Sequence, residues 1–236
     1  MSFTKLSAKP EPIHLAKESS AVIVNDMQNA FCSKGGYLDR IGFNIDDAEA
    51  VIEAVARVLK AARHVGLPVF HSQNGFYPDL RDVPVDSPWW YKSPALKLAR
   101  ERPELSDEVM IEGTWDYEFV ERVAPIGDEL IIRKSRPSCF AGTNLDQQLR
   151  ARGVNTIIVV GIASNVGVEW TLREALSYEY FGVMVHDATM PAGSRQIHDA
   201  VLFNIEQFVG WTTTCAEFEN ACKSFKTDIT EQSAQK

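Results

Sequence analysis

Three stretches of this 236-residue sequence place polar groups directly after runs that read as buried strands. The first is 21–25, followed by Asp26. A carboxylate there is costly to bury without a partner; an Asp that merely caps the next turn fits the same residues. The second run, 129–133, ends at Lys134. An ammonium leaving a buried strand could pair with Asp26 across the sheet edge and favour its charged form; a solvated basic turn is the plainer alternative. The third, 156–160, runs into Gly161-Ile162-Ala163-Ser164-Asn165-Val166-Gly167-Val168-Glu169. A tight small-residue loop opening a helix presents unpaired backbone N–H groups and the positive end of a helix dipole, which suits an oxyanion. Its glycine spacing is not that of a dinucleotide loop, and by itself it is also an ordinary strand-to-helix connection.

The elements that must position these groups alternate along the chain. Short apolar runs at 21–25, 67–71, 129–133, 156–160 and 182–186 suit strands covered on both faces. Between and after them, apolar spacing of three and four predicts helices at 46–64, 144–152, about 166–178, 194–208 and 215–225. Strands separated by helices imply right-handed crossovers, hence an α/β, doubly wound, mainly parallel sheet with helices on both faces. Ligands then bind beyond the C-terminal strand ends, where Asp26, Lys134 and the 161–169 loop fall. Residues 1–19 read as an N-terminal arm, 20–225 as the domain and 226–236 as a polar tail. The stretch from Gly75 to Trp115 fits the rhythm worst. Its prolines and aromatics suit an apolar wall over a small-molecule pocket, or a subunit interface.

Composition narrows the function classes. A net charge of −8 argues against nucleic acid and gives no support for anionic membranes. No stretch approaches the ~18 apolar residues of a membrane span. The N-terminus lacks the apolar core of a secretory signal, and four cysteines without ligand spacing read as reduced thiols, so a cytoplasmic setting is expected. His71 stands without a second nearby histidine, so no metal and no cofactor is expected. Asn74 and Gln73 are candidate substrate contacts: Asn74 could hydrogen-bond a carbonyl or amide, and Gln73 would point oppositely if the strand extends that far. Phe31, Tyr37, Phe76 and Trp90 are candidate aromatic walls. An anionic substrate would require a cation such as Lys92 or Arg136.

Taken together, Val24-Asn25-Asp26-Met27-Gln28-Asn29-Ala30-Phe31, Lys134 and the 161–169 loop resemble the isochorismatase-like cysteine hydrolases over roughly residues 18–212. Within them the ureidoacrylate amidohydrolases of pyrimidine catabolism look most similar, through Lys34-Gly35-Gly36-Tyr37-Leu38-Asp39, Gln73-Asn74-Gly75, Gly113-Thr114-Trp115-Asp116-Tyr117, Glu179-Tyr180-Phe181-Gly182-Val183 and Leu202-Phe203-Asn204-Ile205-Glu206. Biuret hydrolases are similar around 31–37. The resemblance implies an Asp–Lys–Cys site acting on a C–N bond of a small ureido or carbamoyl compound, in a homo-oligomer (dimer or tetramer). Asp26 would move the proton and Lys134 position it. A cis peptide at Ile162–Ala163 would aim the Ala163 and Gly167 N–H groups at the substrate oxygen.

The family's nucleophilic cysteine falls where this sequence has Gly167. Glycine cannot attack a carbonyl, so weak or absent amidase activity with intact ligand binding is expected. Three explanations fit: a nucleophile removed by substitution, a natural thiol-free member that cleaves a vinyl ether by acid catalysis through Asp26, or rescue by Cys139 or Cys32. A catalytically silent homologue that binds a small molecule is the non-enzymatic rival.

Overall fold

The computed structural model describes residues 3–233. Its main sheet is built from β3 (Ser20–Asn25), β4 (Val69–Asn74), β5 (Leu130–Lys134), β6 (Thr156–Ile162), β7 (Phe181–Met190) and β8 (Trp211–Thr213). The order is β5-β4-β3-β6-β7-β8, with every neighbouring pair parallel. The chain winds outward from β3 to β5, then returns to the other side of β3 as β6. The crevice at that reversal lies between the ends of β3 and β6, where open parallel sheets bind ligands.

Both faces are covered, which is why β3 and β6 are apolar without alternation and buried throughout. One core packs α3 (Ala48–Val65) and α9 (Cys215–Ser233) against the sheet; the other packs α6 (Leu145–Ala151), α7 (Glu169–Ser177) and α8 (Arg195–Asn204) on the opposite face. In α3 the predicted stripe Val51, Ile52, Val55, Val58, Leu59 and Ala62 is buried. Each such aliphatic side chain contributes about 1.5–3 kcal/mol. Gly66 ends the helix at φ 78°, donating to the Ala62 and Arg63 carbonyls.

Several expectations change. Within the stretch read as an arm, β1 (Phe3–Leu6) and β2 (Ile13–Ala16) form an antiparallel pair whose Leu6 and Leu15 are fully buried. Alternation over four residues was too short to read. The strand β8 was missed for the same reason, and β7 continues to Met190. The helix expected at 194–208 ends as α8, and a wider π-type turn, Ile205–Val209, follows. The 75–115 stretch carries α4 (Pro88–Lys92) and α5 (Pro94–Glu101), each with a serine N-cap followed by proline. Of the tail expected at 226–236, residues 234–236 lie outside the described residues.

Candidate active site

The end of β3 delivers two polar side chains into the core, Asn25 at 0 % and Asp26 at 2 % exposure. Asp26 has φ 50°, a left-handed conformation uncommon for a residue with a side chain. Bonds to β4 hold it there: its N–H donates to Ser72 Oγ at 3.1 Å, and the Ser72 hydroxyl donates to Asp26 Oδ1 at 2.6 Å. Lys134, the last residue of β5, is equally buried and reaches across the end of β4 to place Nζ 2.8 Å from Asp26 Oδ2. Lys134 also donates to the Pro137 carbonyl at 2.5 Å and to Asn25 Oδ1 at 3.4 Å. Burial pushes the Asp26 carboxyl above its ordinary value, while the Lys134 charge and hydrogen bonding oppose that rise.

Asn25 ties this pair to the third strand end. Its Nδ2 donates to Asp26 Oδ2 at 3.2 Å and to the Ile162 carbonyl at 2.8 Å. Asn25 pairs in register with Gly161, whose φ is 109°, and a β-carbon there would run into the Asn25 backbone. The Ile162–Ala163 peptide is cis. A π-type turn, Ser164–Val168, then leads into α7. Asn165 anchors that turn to the end of β7 by a reciprocal pair: Nδ2 to the Ala192 carbonyl at 3.1 Å and the Ala192 N–H to Oδ1 at 2.9 Å.

A cavity of about 180 Å³ opens against Asp26, Ala163 and Gly167. Phe31, Tyr37, Phe76 and Asn74 line it. Trp90 does not. The wall is Trp89, while the Trp90 ring lies under the Arg100 guanidinium at 4.6 Å. One residue's difference within α4 turns a ring about 100° away, which spacing in an irregular segment could not decide. Gln73 is also corrected: it does not line the cavity, and its Nε2 donates to the Tyr117 carbonyl at 3.0 Å. Strand alternation sends it to the face opposite Asn74. Neither Lys92 nor Arg136 lines the cavity, and among the described residues Asp26 is the single charged one that does. Cys139 and Cys32 are buried outside the lining, both with thiols pushed upward by desolvation. No cluster of three or more His, Cys, Asp or Glu suited to a metal ion occurs among the described residues.

Sequence reasoning missed Trp89, Asn165 and the roles of Ser72 and Asp116. Asp116, 3 % exposed, accepts from the Tyr37 N–H at 3.1 Å and the Met110 N–H at 2.9 Å, joining two segments that line the cavity. Asp116→Ala is expected to orphan both donors at about 1–3 kcal/mol each. A thermal melt should show the loss, and calorimetric titration with a ligand of the site should show weaker binding.

The sequence and the fold match known proteins. An isochorismatase-domain family model matches residues 20–217. The chain belongs to the isochorismatase family. Among curated relatives of this isochorismatase-family chain, the ureidoacrylate amidohydrolase RutB of Azorhizobium caulinodans is 44 % identical, over 92 % of this chain and 96 % of that protein. The RutB of Methylobacterium radiotolerans is 46 % identical, over 92 % and 84 %. Among solved structures, a cysteine hydrolase from Pseudomonas syringae pv. phaseolicola 1448A superposes with a TM-score of 0.76 at 27 % identity, covering 95 % of this chain and all of that one. The N-carbamoylsarcosine amidase of Thermoplasma acidophilum shares the fold at a TM-score of 0.63 and 22 % identity.

Proposed function

We propose that this chain hydrolyses a C–N bond of a small ureido or carbamoyl compound, with Asp26 moving the proton. The observation that carries the reading is the buried Asp26–Lys134 pair at 2.8 Å, with Asp26 lining a cavity that Ala163 and Gly167 also line. The curated relatives named ureidoacrylate amidohydrolase support the bond class. With no side chain at Gly167, water is the nucleophile. Its oxygen bonds to the carbonyl carbon, its proton passes to Asp26, and the backbone N–H groups of Ala163 and Gly167 stabilise the oxyanion. The C–N bond then breaks as Asp26 returns the proton to the departing nitrogen, which leaves as ammonia or an amine. A lining with one carboxyl and no cation suits a neutral carbamoyl end inside, with any carboxylate of the substrate directed toward the mouth.

A second reading is favoured by the upward shift of Asp26, which retains its proton longer than an ordinary carboxyl. Protonated Asp26 would then donate to a vinyl ether, and water would attack the resulting cation. One assay separates the two. Ureido, carbamoyl and vinyl-ether compounds are tested for release of ammonia, or of a carbonyl compound and an alcohol, and kcat/KM of any substrate is followed with pH. The base reading expects a rate that rises with pH along a limb lying above the ordinary 3.8. The acid reading expects a rate that falls over the same limb. No ammonia from any ureido or carbamoyl compound removes the C–N reading.

Substrate recognition has its own test. Asn74 Oδ1 and Trp89 Nε1 are buried polar atoms without a protein partner, and both residues line the cavity. An acceptor and a donor facing a carbamoyl group would complement its N–H and C=O. Trp89→Phe keeps the ring wall but deletes the donor. KM is expected to rise about tenfold, or about 1.4 kcal/mol. Tm should hold or rise, because an orphaned donor has been removed.

A further inference from the structure

The space beside Gly167 is taken. A β-carbon built on this residue would run into Asn25 Nδ2, with Asn25 Cγ and Oδ1 both at 2.9 Å. Asn25 cannot swing aside at low cost. Its Nδ2 is held by Asp26 and the Ile162 carbonyl, and its Oδ1 receives the Lys134 ammonium and the Cys139 thiol, the latter at 3.2 Å. All four bonds are buried, where a broken bond leaves an unsolvated polar group behind. The backbone at Gly167 is not in the left-handed region, so conformation does not demand glycine there. The three atoms nearest to that β-carbon all belong to the Asn25 carboxamide.

We propose that Asn25 and Gly167 are a matched pair: the Asn25 carboxamide fills the room in which any side chain at position 167 would begin, and Asn25 takes over from residue 167 as the side chain that ties Asp26 and Lys134 to the 162–168 loop. The pair thereby commits the site to a nucleophile brought in from solvent. This deepens the site reading given above and rests on it for the identity of the reacting groups, while the pairing itself rests only on geometry. It also means that a cysteine introduced at 167 without a change at 25 would not restore a working thiol. The thiol would have to displace a carboxamide with four bonds. A smaller apolar residue at 25 would make room, leaving Lys134 its partners Asp26 and the Pro137 carbonyl.

A double-mutant cycle tests the pair. Gly167→Ala adds a single methyl group to a helical turn, a change that ordinarily stabilises. In the wild-type background it is expected to lower Tm by roughly 4 °C or more. Alongside Asn25→Val it should leave Tm unchanged or raise it, and Asn25→Ala provides a second background if the valine variant folds poorly. Equal effects of Gly167→Ala in all backgrounds would overturn the pair. The same cycle with Gly167→Cys reads the site. Native iodoacetamide labelling at 167 should be at least about tenfold faster in Asn25→Val/Gly167→Cys than in Gly167→Cys, and ammonia release from a ureido substrate should rise above the wild-type rate only in the double variant. A double variant that labels quickly but releases no ammonia would uphold the pair and remove the C–N reading. Full activity in Gly167→Cys alone would remove the pair and keep that reading.

Discussion

Asp26→Asn is expected to lower turnover about 10²–10⁴-fold, the usual share of a positioned acid–base group. It should also destabilise the fold by about 3–5 kcal/mol, because the Lys134 ammonium stays buried without its counter-charge. Both residues are 2 % exposed, so solvent does not soften the loss. The carboxamide keeps the shape of the carboxyl but offers one acceptor oxygen where Ser72 and Lys134 met two, so the change removes the charge and one acceptor while sparing the packing. Denaturant titration reads the stability and kcat reads the chemistry. The buried pair is not a stabiliser in itself: two charges lose their hydration to make one contact. Asp26→Leu/Lys134→Met is therefore expected to melt higher than Asp26→Asn. A double variant melting lower than the single one would contradict that account.

Lys134→Met is expected to abolish turnover to a similar degree but with a different pH signature. Without the ammonium, nothing of comparable strength opposes the desolvation that raises Asp26. The folded-state value then lies further above the unfolded one. The folded protein binds more protons than the unfolded chain between those two values, so stability falls as pH rises through that window. Below the ordinary 3.8 both states hold the proton and the penalty vanishes. The Tm of Lys134→Met should therefore drop steadily from about pH 4 toward neutrality relative to wild type. A constant Tm difference across that range would mean that Asp26 does not carry the charge the site requires.

Much of this architecture was legible because its signals are local. The continuous apolar runs of β3 and β6 announce strands covered on both faces, and the spacing in α3 announces one buried stripe. Asp26 and Lys134 could be placed at strand ends because each directly follows such a run. Where the sequence misled, the deciding contact was not local. Residues 3–16 look polar, yet Leu6, Ile13, Leu15 and Ala16 are buried and seat the strand pair on the core. Trp89 and Trp90 are chemically alike neighbours on a short helix in an irregular segment, and the packing of that segment chose which ring faces the cavity.

Neighbouring residues were enough to set the alternation of strands and helices, and with it the parallel sheet and the edge at which chemistry can sit, because backbone periodicity and crossover handedness are local properties. The sequence also shows that position 167 carries no nucleophile. What fills that position instead was decided by tertiary structure. The β3–β6 register, Asn25 opposite Gly161, brings a carboxamide into the volume beside Gly167, and such an overlap depends on strand pairing between residues far apart in the chain.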